Sequence, residues 1–168
     1  GAYEYQPPVV TVLGWSVRLQ HGATAVATEA SDGYVEPRRD GLRTVAFACS
    51  AALDPATIST AAVALTNGQG TDLSARIQSV TLSEPHIARV VLDGPLPDGA
   101  TYTFSVRETV RGVGDKPLAG AMVVRLVARC GDVDSDGAVT EKDIQLIREA
   151  AGAASLPSLS RHDVDCSG

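Results

Sequence analysis

The chain has 168 residues, 44% of them hydrophobic and 20% charged, with a net charge of -6. That is the balance of a soluble globular protein with room for one good core and a small satellite module. No apolar run approaches the ~18 residues of a membrane span, and no basic patch points to nucleic acid.

The charge is uneven. Residues 131–168 carry eight acids against three bases, a net of -5, which leaves -1 for the first 130 residues. Aromatics are scarce, and Ala, Val, Thr and Gly are plentiful, which favours strands and turns. A start at Gly1 rather than Met fits a processed chain, from either a cleaved secretion signal or an expression scar.

Residues 1–8 contain Tyr3, Tyr5 and the Pro7-Pro8 pair, and read as an extended arm. Val9 to Leu19 is β-branched, carries the only tryptophan, Trp15, and reads as a first strand with Gly14 as a candidate interruption. Ala23 to Ala30 is a candidate second strand. Ser31-Asp32-Gly33 and residues 36–41 (Glu-Pro-Arg-Arg-Asp-Gly) are turn chemistry. In Arg43 to Cys49 the alternation puts Val45, Phe47 and Cys49 on one face. Leu53-Asp54-Pro55 is a turn, and short strands are predicted over 61–66, 75–82, 88–92, 101–107 and 121–128. Even spacing with turns between, and no long amphipathic pattern before residue 139, predict a mainly β fold, an antiparallel sandwich.

Asp132 to Asp143 is the most informative stretch. Oxygen side chains fall at loop positions 1, 3, 5, 9 and 12 (Asp132, Asp134, Asp136, Thr140, Asp143), and Gly137 falls at position 6. This is the pattern of an EF-hand calcium loop. Ca²⁺ takes six to eight oxygens at roughly 2.3–2.6 Å. Alternate residues of a curled loop converge on one point, Ala138 offers its backbone carbonyl, and Asp143 closes the site from the next helix. A solvated acidic turn is the bland reading of the same residues. With oxygen ligands and no His, the metal would be structural. Weak structural calcium sites fill outside the cell, where calcium is millimolar.

Two family resemblances follow from these motifs. Val45-Ala46-Phe47 with Leu53-Asp54-Pro55, then Leu96 to Val106 with its Leu-x-x-Gly-x-x-Tyr turn, then Gly114 to Gly120 with a tight corner at Asp115-Lys116-Pro117-Leu118, resemble a bacterial Ig-like domain of the surface-layer type. This implies a sandwich over 41–129, with residues 1–40 as the arm and first strands, part of it or packed on it. Gly131 to Gly137 followed by Asp143 to Arg148 is similar to a dockerin type I repeat over 130–168, with Ile144, Ile147 and Ala151 on one helical face and Gly152 as the stop. Arg161 to Gly168 resembles the start of a second repeat, Asp163, Asp165 and Ser167 taking positions 1, 3 and 5. Paired loops of that kind bring Cys130 and Cys166 close, which makes a disulfide the preferred reading and Cys49 a buried hydrophobe. Three reduced core thiols are the alternative.

No Gly-x-Ser-x-Gly, phosphate loop or His-Glu-x-x-His occurs, and His21, His86 and His162 are scattered, so no enzyme is expected. The expected protein is an extracellular, calcium-binding structural subunit of a surface fibre. It would self-associate head to tail, the N-terminal arm adding a strand to a neighbour. The alternatives are docking on a separate receptor domain and an accessory domain of a larger secreted protein.

Overall fold

The computed structural model describes residues 8–21, 24–39 and 41–150, without the side chains of Gln20 and His21. The expected arm, apart from Pro8, lies outside the described residues. So do Ala151, Gly152 and the half-loop with Asp163, Asp165, Cys166 and Ser167.

Among the described residues are eleven strands and one α-helix: β1 (Val10–His21), β2 (Thr24–Ala30), β3 (Tyr34–Glu36), β4 (Thr44–Cys49), β5 (Val63–Asn67), β6 (Ile77–Glu84), β7 (Ile87–Leu92), β8 (Ala100–Val106), β9 (Arg111–Gly112), β10 (Lys116–Gly120), β11 (Val123–Ala128) and α1 (Glu141–Ala150). One sheet runs β6-β7-β4-β1-β10-β9, and β2 also pairs with β1. The other runs β3-β11-β8-β5. The two share one apolar core, so the expected β-sandwich is present.

Its sheets are mixed, which corrects the expected antiparallel arrangement. β1 pairs with β10 in parallel, and β3 pairs with β11 in parallel. Parallel neighbours are joined by distant crossovers, so alternation within each strand carries no sign of them. The corner expected at Asp115–Leu118 holds only at Asp115, whose φ is 58°; from Lys116 the chain is strand β10.

β1 is the hub. One of its edges takes β4, and the other takes β10 along Val10–Val12 and β2 along Trp15–His21. Gly14 does not interrupt it but marks a bulge against β4. A bulge adds local twist, which suits a strand with three partners. Val45, Phe47 and Cys49 are all buried, as the alternation predicts. Trp15 tilts against Phe47 and Phe104, with ring centres at 5.3 and 6.3 Å, and its indole N–H donates to the Ala121 carbonyl at 2.7 Å. A fully buried aromatic of this size contributes about 1.5–3 kcal/mol, so this trio is the apolar centre of the sandwich. Burial pushes the free Cys49 thiol up to about 11. The Leu-x-x-Gly-x-x-Tyr turn delivers Tyr102 into the core, where its hydroxyl donates to the Pro97 carbonyl at 2.7 Å.

Gly120 closes the β1–β10 junction. Its φ is +90°, and a Cβ there would lie 2.7 Å from the Val12 carbonyl oxygen. Only glycine combines that backbone angle with that approach.

Candidate metal centre

The acidic loop leaves the sandwich at the end of β11 and is tied at its root to the last residue of β3 and the one after it. The Arg129 N–H donates to the Glu36 carbonyl at 3.0 Å and the Gly131 N–H to the Pro37 carbonyl at 2.7 Å. The Cys130 N–H donates to the Asp98 carboxylate at 2.6 Å. Beneath this root lies an ion pair that the turn reading of residues 36–41 missed. Glu36 and Arg38, 0% and 1% exposed, meet at 2.7 Å. The turn itself is present, since the Gly41 N–H donates to the Arg38 carbonyl. Its charged side chains nevertheless fold inward, because Glu36 takes both the Nε and the backbone N–H of Arg38. A buried charge needs such a partner, and residue type alone gave no signal of one.

The loop is wound by its own carboxylates. Asp132 Oδ2 accepts the Gly137 N–H at 3.1 Å, Asp134 Oδ1 the Asp136 N–H at 3.1 Å, and Asp136 Oδ1 the Ala138 N–H at 2.9 Å. Gly137 has φ 92°, as the sixth position of such a loop requires. One carboxylate oxygen from each of Asp132, Asp134 and Asp136 lies within 4.8 Å of the others. Oxygens on opposite sides of a bound Ca²⁺ stand roughly 5 Å apart, so the three have the spacing of a shared ion. Asp132 is 0% exposed, and its Oδ1 has no hydrogen-bond partner. Asp134 Oδ2, by contrast, is paired with the Lys142 ammonium at 2.6 Å. Asp134 in turn raises the Lys142 pKa.

Asp143 stands outside this cluster. It is 0% exposed, and its Oδ1 accepts the N–H groups of Val133 at 2.9 Å and Asp134 at 3.4 Å. Its Oδ2 accepts the Thr140 N–H at 2.8 Å and the Thr140 hydroxyl at 3.3 Å, and Thr140 Oγ1 accepts the Lys142 N–H at 3.3 Å. Thr140 thus caps α1 through the Lys142 N–H, Asp143 reaches back to the Thr140 N–H as the acidic half of a capping box does, and the same carboxylate clasps the two ends of the loop. The Thr140 N–H does most to hold the Asp143 carboxyl below 3.8, against the opposing effect of burial. The structure therefore brings together Asp132, Asp134 and Asp136, while Thr140 and Asp143 are engaged with each other. Ala138 is positioned by its N–H on Asp136.

Asp143 is the only buried residue of α1. Val139 and Ile144 are exposed, and Leu146 and Ile147 are half-buried. Cys130 is a free thiol, pushed up by burial, so the expected disulfide to Cys166 does not form part of the described structure. No helix among the described residues is long and apolar enough to cross a membrane.

No protein-family model matches the chain, whether Ig-like or dockerin-type, and no curated protein matches it. Among solved structures the chain is similar in fold to the S-layer protein rSbsC(31-844), with 18% identity and a TM-score of 0.50, over 73% of this chain and 14% of that one. The N-terminal part of the bacterial S-layer protein SbsC gives 19% identity and a TM-score of 0.48, over 73% of this chain and 24% of that one. CopC from Methylosinus trichosporium OB3b gives 10% identity and a TM-score of 0.42, over 70% and 96%. At these identities the likeness is one of fold, and the chain spans a quarter or less of the S-layer chains it resembles.

Proposed function

We propose that this chain is an extracellular structural protein whose acidic loop binds calcium and which self-associates as a subunit of a surface layer or fibre. The observation that carries the calcium reading is Asp132: a wholly buried carboxylate with an oxygen that no donor satisfies, beside two more aspartates. An unpaired buried carboxylate is strongly unfavourable, and a divalent cation at this point would offset it. All-oxygen donors favour Ca²⁺ over zinc. Asp132, Asp134 and Asp136 would hold the ion, with the Ala138 carbonyl and Thr140, directly or through water, filling further positions. The ion supplies charge neutralisation and order, and no catalytic role is assigned to any residue.

The scaffold role draws support from the two-sheet fold shared with an S-layer protein. In this reading the arm over residues 1–8 adds to a neighbouring sheet, head to tail. A second reading, docking on a separate receptor through the loop and helix, is favoured by the exposed Val139 and Ile144. The half-loop with Asp163, Asp165 and Ser167 would offer a second set of oxygen donors in this reading.

Calcium titration of the full chain by calorimetry tests the site. Saturable binding that Asp132→Asn abolishes is expected, with EGTA loosening residues 131–150 and sparing the sandwich. Absence of binding at millimolar calcium overturns the reading. Electron microscopy with calcium then separates polymers from a monomeric docking module.

A further inference from the structure

Each sheet ends in strands whose outer N–H and C=O groups must be paired, covered or exposed. An exposed row is a template for another strand. Among the described residues, four of the five edges are managed. β6 carries two register breaks, at Ile77/Ser79 and Leu82/Glu84. Residues 52–54 cover β9, through the Asp54 N–H to the Arg111 carbonyl and the Val113 N–H to the Ala52 carbonyl. Residues 71–74 cover β5, through the Asn67 N–H to the Thr71 carbonyl and the Leu73 N–H to the Leu65 carbonyl. β3 is only three residues long.

β2 differs. Its seven residues, Thr-Ala-Val-Ala-Thr-Glu-Ala, pair with β1 in unbroken register and contain no Pro, Gly, Lys or Arg. Among the described residues nothing hydrogen-bonds to its outer side. We propose that the outer edge of β2 is a self-association surface, where β2 of a second copy pairs antiparallel and joins two first sheets into one.

Three features argue for a second copy as the occupant. The first is charge. The β1–β2 ribbon from Val10 to Ala30 holds one base, Arg18, and one acid, Glu29, in a chain of net charge -6. Two negative molecules meet there with least repulsion. The second is register. A two-fold axis at Ala27 sets Val26 opposite the second copy's Thr28 and Ala25 opposite its Glu29. The two Glu29 carboxylates are then offset by roughly 14 Å along the strands, beyond the screening length of ~8–10 Å. The third is side-chain alternation. Val26, Thr28 and Ala30 lie across from the buried Leu19, Val17 and Trp15, so a second β2 extends the inner face with β-branched neighbours. One patch used by both partners is the requirement of a two-fold contact. A single strand pair is smaller than the ~800 Å² per partner of a standard interface, so the contact is concentration-dependent.

The contact needs no calcium, and the test separates it from the assembly proposed above. Sedimentation equilibrium of the full chain in EDTA is expected to show the mass rising with concentration from 17.4 kDa toward twice that value. Ala27→Lys, on the outward, exposed side of the strand, places two cations opposite each other and is expected to leave only monomer. Ala27→Thr, neutral and β-prone, retains the dimer. Unchanged Trp15 fluorescence in all three shows that the fold is kept. A wild type that stays monomeric in EDTA, or a dimer that survives Ala27→Lys, overturns the proposal. Assembly seen only with calcium supports the scaffold reading while overturning this edge.

Discussion

The sandwich and the loop-helix that follows it are held together by different physics. From Val10 to Ala128 the chain buries a continuous apolar core around Trp15, Phe47 and Phe104. From Arg129 to Ala150 the organising groups are carboxylates, and in α1 the one buried side chain is itself an aspartate. Apolar burial is non-directional and needs no cofactor. Convergent carboxylates repel one another unless N–H donors or a cation lie between them. Neighbouring parts of one chain can therefore differ in what unfolds them.

The largest break in that comparison is Phe47→Ala. It should destabilise the sandwich by about 3–5 kcal/mol, seen in denaturant unfolding followed by Trp15 fluorescence. Calcium affinity, measured under conditions where the variant remains folded, should be unchanged. A loss of affinity in the folded variant would show the two regions to be one energetic unit.

Next comes the Glu36–Arg38 pair, which sits where the regions meet. Arg38→Met strands a buried carboxylate and should cost about 3 kcal/mol, the low end for a broken buried pair, since Arg38 Nη1 already lacks a partner. Adding Glu36→Gln should restore part of the loss. No restoration would mean that the pair is not what holds this corner.

A smaller, selective effect is expected on acidification. The folded pKa of Asp143 lies below its ordinary 3.8. Its contribution is therefore fully present above about pH 4 and is lost as pH falls through the folded value. The Val133, Asp134 and Thr140 amides should lose protection in that window, followed by NMR. Asp32, held at about 2 chiefly by the side-chain bond from Arg125, gives the sandwich an acid step of its own near that value, on an exposed pair. Simultaneous loss of both sets of signals would erase the distinction.

The smallest effect belongs to Lys142. Its ammonium pairs with Asp134, one of the three clustered aspartates, so Lys142→Gln should tighten calcium binding severalfold in calorimetry by removing a competing cation. Arg129→Gln removes the same charge from the neighbourhood of Gly137 and serves as the control for charge alone. Equal effects would remove any special role for Lys142.

Much of this was legible from residues alone because the signals are local. Alternation in 44–49, the turn before Tyr102, the aspartate spacing and the helix after Thr140 each depend on neighbours a few positions away. What the tertiary structure decided depends on residues far apart in sequence. It set the parallel pairings that make β1 a hub, turned Lys116–Gly120 into a strand against Val10–Val12, and folded Glu36 and Arg38 beneath a loop that begins ninety residues later. It also drew Asp143 into a clasp of N–H donors apart from the three clustered aspartates. The sequence determines which side chains are available to bind, bury or pair. Which of them meet is set by long-range packing, since a carboxylate takes whichever donors the folded chain brings within reach.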